Sequence, residues 1–219
     1  MSDTEFLLWV RGPGMIIAVA VFAVGVLVRF LEMWLLGRKA DLAEARGSSV
    51  SAGLRTMLTR SAPRKEELRD GGFVLFTSWI FHLAFVVTFL FLVPHIAFLK
   101  AIVGFGWPAL PKALVSILAI LGIVAMIALF VHRFFHSVRR FLGHTIDYVA
   151  WAATFLPLLT GYLAAHSPVF GYTTTLAVHI LSFELFIALI PFTKLMHMFT
   201  VWVSRYINGA TFGRKGVVA

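Results

Sequence analysis

The sequence predicts an all-α integral membrane bundle of five transmembrane helices, and three observations carry that prediction. Of 219 residues, 60% are hydrophobic and only 13% are charged, against about half and about a quarter in a soluble domain. Apolar runs recur along the chain, each near the roughly 20 residues that a bilayer crossing needs. The basic residues gather in the connecting segments between those runs. So much lipid-compatible length leaves no room for a second, soluble domain, and 1–219 reads as one membrane domain.

The runs fall at about 13–36, 73–99, 112–132, 146–165 and 173–203. The opening residues, MSDTEFLLWVRGPG, carry acids in place of a basic n-region, so no removable signal peptide is expected. Segment 37–72 holds Arg38, Lys39, Arg46, Arg55, Arg60, Arg64, Lys65 and Arg69. Arg133, Arg139 and Arg140 follow the third run, and Arg205, Arg214 and Lys215 follow the fifth. In a five-span chain all of these lie on one side, facing only Arg11, Lys100 and Lys112 on the other. Lys and Arg concentrate on the cytoplasmic side. The N-terminus is therefore expected outside, with loop 37–72 and the C-terminus in the cytoplasm. The net charge of +9 is assigned to this topology and not to a nucleic-acid partner.

Within loop 37–72, Val50, Leu54, Met57 and Leu58 fall at helical spacing, with Arg55 and Arg60 among them. That suits a short amphipathic helix on the membrane surface, a docking surface for a cytoplasmic partner, or a solvated loop. The absence of cysteine excludes disulfides, iron–sulfur clusters and thiolate metal sites from this chain.

Ionisable residues inside lipid-spanning segments are costly and usually functional. Glu32 and Glu184 stand alone, and Lys194 lies near an inner helix end, where it can snorkel. The histidines form a pattern. His82 lies in the inner half of the second run and His95 toward its outer end; in the fifth run, which returns, His179 is outer and His197 inner. Two helices thus present one histidine each at two depths. Paired across the helices, they meet the requirement of two bis-histidine hemes, whose iron takes an imidazole from each side. On one continuous helix, His179 and His197 would share a face ~27 Å apart, whereas His82 and His95 would sit ~20 Å apart and about 140° out of phase. Pro94 and Pro191 are positioned to bend or rewind both helices. His132, His136, His144 and His166 sit at helix ends, where ordinary hydrogen bonding or solvation accounts for them.

The stretch HILSFELFIALIPFTKLMHMFT resembles the last helix of the respiratory nitrate reductase gamma subunit family, through Pro191, Phe192, Thr193, Lys194 and Leu195 between two histidines 18 residues apart. Helix FHLAFVVTFLFLVPHIAFLK is similar to the branch of that family found in the transmembrane electron-transfer complexes of sulfate reducers. The shared features are the 13-residue histidine spacing and the following Trp107-Pro108 link. The nitrate reductase branch proper has a shorter spacing. The link HRFFHSVRRFLGHTIDYVAW, with Asp147 at the start of the fourth helix, is also similar, and the first helix matches loosely through Arg29.

The resemblance implies a diheme cytochrome b of a prokaryotic inner membrane, exchanging electrons with quinone or menaquinone as one subunit of an oxidoreductase complex. It implies two heme b groups, held at the inner depth by His82 and His197 and at the outer by His95 and His179. Implied partners are membrane lipid and a cytoplasmic iron–sulfur or catalytic subunit, with an outer-side cytochrome c as a further candidate. Arg29, Arg133, Arg139 and Arg140 are candidate partners of the inner propionates, or simply topology-setting charges. Lys100, the basic residue beside His95 on the outer side, is a candidate hydrogen-bond donor to a quinone carbonyl, or an interfacial snorkelling lysine. The competing readings are a heme-free membrane anchor and a transporter subunit with a histidine-lined polar pathway.

The topology has a direct test. Reporter fusions after Gly37 and at the C-terminus should both report the cytoplasm, and a periplasmic signal from either would contradict it.

Overall fold

Ser2 and Glu5 determine where the first helix begins. Ser2 Oγ accepts the Glu5 N–H (3.3 Å) and Glu5 Oε2 accepts the Ser2 N–H (2.6 Å), a capping box that satisfies donors a helix start otherwise leaves unpaired. The computed structural model, which describes residues 2–36, 42 and 44–217, accordingly shows helix α1 over Asp3–Leu35. It starts well ahead of Pro13, where the apolar run suggested a beginning. Pro13 does not stop it, because Val10–Gly14 winds as one π-helical turn, a local adjustment that accommodates the missing N–H.

The other helices are α2 (Ser49–Thr59), α3 (Lys65–Phe91), α4 (Val93–Val103), α5 (Lys112–Phe135), α6 (Ser137–Phe141), α7 (Thr145–His166), α8 (Tyr172–Leu189) and α9 (His197–Arg214). No strand occurs among the described residues. Five stretches are long and apolar enough to cross a membrane: Asp3–Leu35, Gly71–Phe91, Lys112–Phe135, Thr145–His166 and Tyr172–Phe192. This is the make-up of a multi-pass membrane protein, with side chains such as Ile16, Leu83, Ile117 and Leu185 left exposed for lipid. Arg38 and Lys39, counted in the basic loop, lie outside the described residues.

Two expected helices are not continuous, each for the same reason. The run at 73–99 breaks at Leu92, whose φ −83° and ψ 133° are extended, and α4 restarts with Pro94 in its first turn. Proline has no N–H for the carbonyl four residues back. That carbonyl, Leu90 O, instead accepts Trp107 Nε1–H at 2.8 Å, and Phe91 O accepts Leu110 N–H at 3.1 Å. The run at 173–203 gives way to 3-10 turns at Ile190–Phe192 and Lys194–Met196 around Pro191, with Thr193 extended between them. His179 and His197 therefore do not share the face of one five-turn helix.

The chain divides into two compact units, residues 1–21 with 72–189 and residues 22–71 with 190–219. In the first, α7 packs on α8, α5 on α7, and the start of α1 on α8. Phe81, Ala125 and Met126 form a buried cluster with Phe85, Trp151 and Phe155 against it. Trp151 Nε1–H donates to Met126 O at 2.9 Å, tying α7 to α5. Gly122 lets α5 approach: a Cβ there would lie 2.9 Å from Leu158 and 3.0 Å from Ala84.

The second unit is built on α2 and α9. The helical reading of Val50–Leu58 describes this segment and the loop reading does not, but the buried face is not the apolar one. Val50, Leu54 and Leu58 are exposed, while Gly53 and Thr56 are buried. Gly209 and Gly213, one turn apart on α9, meet Thr56 and Ala52, and Gly53 meets the Tyr206 ring. Small residues at i and i+4 let two helix backbones close together. Gly209→Leu or Gly213→Leu should overpack this seam at a cost of about 1–3 kcal/mol and speed proteolysis within 44–60. An unchanged digestion pattern would argue against the seam.

Candidate functional site

In the first unit the structure brings His95 and His179 together. Their ring centroids are 6.0 Å apart with planes 24° from parallel. Two imidazoles that share one metal atom, through bonds of about 2 Å each, have centroids roughly 6 Å apart, so the spacing fits a bis-imidazole centre. The break at Leu92 and the restart at Pro94 set His95 on a helix of its own. That removes the phase problem a continuous run posed.

Hydrogen bonds fix both rings. His95 Nδ1 lies 3.0 Å from Thr88 O, and a carbonyl only accepts, so Nδ1 carries the proton. His179 Nδ1 lies 3.3 Å from Thr160 Oγ1, whose own hydrogen goes to Leu156 O at 2.6 Å, so here too Nδ1 donates. The lone pair is left on Nε2 in each ring, the tautomer a metal-ligating histidine takes when a second group holds its other nitrogen. Gly161 makes the room, since a Cβ there would lie 2.8 Å from His179 Cε1. Phe89 and Phe183 line the same region, Phe89 at 5.8 Å from the His95 ring and 5.7 Å from Phe183.

His82 and His197 belong to different units, and each is held within its own. His82 Nδ1 donates to Ser78 O at 2.6 Å, and His197 Nδ1 donates to Lys194 O at 2.8 Å. All four histidines singled out by depth thus carry the Nδ1–H tautomer. His166 differs: its Nδ1 lies 3.1 Å from Tyr162 O and its Nε2 2.9 Å from Ser116 Oγ, so both nitrogens are engaged. His132 lies between Phe73 and His136, and His144 caps α7. No group of three or more His, Cys, Asp or Glu able to hold a bare metal ion occurs among the described residues; a porphyrin iron asks the protein for two.

With this geometry in hand, comparison with known proteins is informative at one point. The chain is 30% identical over 215 residues to a protein of Nitratidesulfovibrio vulgaris strain Hildenborough, covering 94% of this chain and 93% of that one. The chain belongs to the family of that protein. The relative's name, "Protein", assigns it no activity. No family profile and no solved structure matches the chain.

The remaining candidates have structural engagements. Arg29 Nε donates to Pro191 O at 2.8 Å, recapturing a carbonyl at the broken end of the fifth span, and its Nη1 pairs with Glu32 at 2.8 Å. Glu32, isolated by sequence, is therefore ion-paired one turn along its own helix. Arg133 pairs with the buried Asp147 and lies over the Tyr148 ring. Asp147 also accepts the His144 N–H at 3.2 Å. Arg139 and Arg140 lie on α6, and Lys100 is exposed on α4 with its stem against Gly106. Sequence reasoning missed Thr88, Thr160, Gly161 and Ser78. Of these only Ser78, one turn before His82, had a signal in the order of residues.

Removing Arg133 leaves a buried carboxylate without its partner, which is strongly destabilising. Arg133→Leu should lower the thermal midpoint in detergent by more than the double variant Arg133→Leu/Asp147→Leu does. Equal midpoints for the two would count against the pair as a structural tie.

Proposed function

We propose that this chain is a diheme cytochrome b subunit of a prokaryotic inner-membrane redox complex. In this reading it passes electrons between the quinone pool and a cytoplasmic iron–sulfur or catalytic subunit. The observation that carries the proposal is the His95–His179 pair. Its rings lie 6.0 Å apart, and each has its Nδ1–H committed to a protein acceptor. Further support comes from the same tautomer at His82 and His197. The relative's source, a sulfate reducer, agrees with the branch resembled.

When bound, two hemes supply one-electron carriers at two depths, a chemistry that belongs to the cofactor. The chain's own residues do the rest. His95 and His179 bind from two sides at the outer depth, with Thr88 and Thr160 holding their orientation. His82 and His197 are assigned to the inner depth, oriented by Ser78 and Lys194. Gly161 keeps the space beside His179 open, and Phe89 and Phe183 exclude water. The proposed topology, N-terminus outside and C-terminus inside, puts the basic segments against a cytoplasmic partner. Quinone is placed near His95 and Lys100, where oxidation of quinol releases protons outward. Arg29 and Arg133 stand as inner-depth candidates for propionates, each already fixed by a protein partner.

The pairing is the sharpest consequence. His95→Ala and His179→Ala should abolish one and the same component of a redox titration followed by visible absorption. His82→Ala and His197→Ala should abolish the other. Loss of a single shared component on His82→Ala and His179→Ala would refute the pairing. A chain purified with its partners that binds no heme would refute the proposal as a whole.

A further inference from the structure

The α1–α8 contact contains a group that none of the histidine chemistry uses. Glu184 lies on α8, ~18 Å along the helix from Tyr172, within a stretch built to cross the membrane. Its side chain is only 4% exposed. Among the described residues it has neither a hydrogen bond nor an ion pair, and Oε1 is buried without a partner. It points at the π-helical turn of α1. A Cβ on Gly14 would lie 2.9 Å from Glu184 Oε2 and 3.2 Å from Oε1, so only glycine leaves the carboxyl its place. The Trp9 ring closes over the same glycine, at 3.1 Å from that Cβ.

Among the described residues, no helix packed on α8 supplies a counter-charge to this carboxyl. On the part of α1 in the same unit, residues 3–21, the ionisable groups are Asp3, Glu5 and Arg11. On α7 they are Asp147, Tyr148, Tyr162 and His166, on the spanning part of α3 His82, and on α4 Lys100 and His95, which faces His179. None is bonded to Glu184. An ionised carboxylate in such surroundings is so costly that the group takes a proton instead. One π-helical turn in an otherwise regular membrane helix is itself a feature that recurs at functional sites.

We propose that Glu184 is an intramembrane proton-binding site: a carboxyl held neutral, which exchanges its proton with water along the α1–α8 seam. The proton adds to a carboxylate oxygen on uptake and leaves as hydronium on release, with no change in oxidation state. His179 lies five residues away on the same helix, ~7.5 Å along its axis. Oxidation at the outer depth removes negative charge near His179 and favours loss of the Glu184 proton, and reduction favours its return, so release and re-uptake of one proton follow the electron. This link to electron flow rests on the diheme proposal; the proton site itself does not.

Two measurements address the site without reference to heme. Dicyclohexylcarbodiimide adds to protonated carboxyls in apolar surroundings. At neutral pH under reducing conditions it should label the wild-type peptide containing Glu184, leave the exposed Glu66 unlabelled, and find no target on that peptide in Glu184→Gln. Infrared absorption should show a protonated-carboxyl band that is absent in Glu184→Gln and shifts in heavy water. An unlabelled wild-type peptide, or a band that deuterium does not shift, overturns the exchanging site. The third measurement is the pH dependence of the outer component's midpoint potential, which should flatten in Glu184→Gln. An identical slope in wild type and variant overturns the coupling. A heme-free preparation that still takes the label would overturn the diheme proposal and leave the proton site standing.

Discussion

Lipid offers no hydrogen bonds, so each carbonyl that a proline releases inside a membrane helix must be recaptured by the protein itself. Of the four prolines within the apolar runs, Pro157 stays inside a continuous α7, and the other three are met differently. At Pro13 the helix rewinds as a π turn and continues. At Pro94 it breaks, and Trp107 and the Leu110 amide take the released carbonyls of Leu90 and Phe91. At Pro191 the chain passes through two 3-10 turns, with Arg29 held on the Pro191 carbonyl. The Trp107-Pro108 link and Arg29, noticed first as marks of resemblance, thus have work in the backbone itself.

The same breaks decide where the histidines stand. A continuous second run would have kept His95 well out of phase with His82, on a helix whose carbonyls were all committed. Breaking at Leu92 frees Thr88 O from the helical ladder, and His95 Nδ1 takes it. One released acceptor therefore both repairs the backbone and sets the tautomer. Across from it, the threonine and glycine at 160 and 161 do complementary jobs for His179, one orienting the ring and the other leaving space for it. Neighbouring Glu184 uses a glycine in the same way but has no acceptor or donor among the described residues. The contrast separates a ring held in one orientation from a carboxyl left with a choice of protonation state.

The second unit shows small residues governing a different outcome. α2 looks amphipathic in the ordinary sense, with Val50, Leu54 and Leu58 on one stripe. It nevertheless packs through Ala52, Gly53 and Thr56, because Gly209 and Gly213 on α9 permit backbone approach there. Close contact along a glycine ridge gains dispersion over a long strip, and the larger side chains are left outward.

Composition and run length alone determined that the chain is all-helical with five lipid-compatible spans, because the bilayer demands a fixed length of apolar residues whatever their order. Residue order also picked out the four histidines by depth, and two of them, His95 and His179, do meet. Nothing in the order could show that Glu32 finds Arg29 while Glu184 finds no partner among the described residues, since the first depends on helix phase and the second on every neighbour at once. Only the tertiary structure decided that the runs holding Pro13, Pro94 and Pro191 rewind or break while the one holding Pro157 continues, and which nitrogen of each imidazole carries its proton. Those choices depend on which distant donor or acceptor reaches a released backbone group, and that reach is a property of packing.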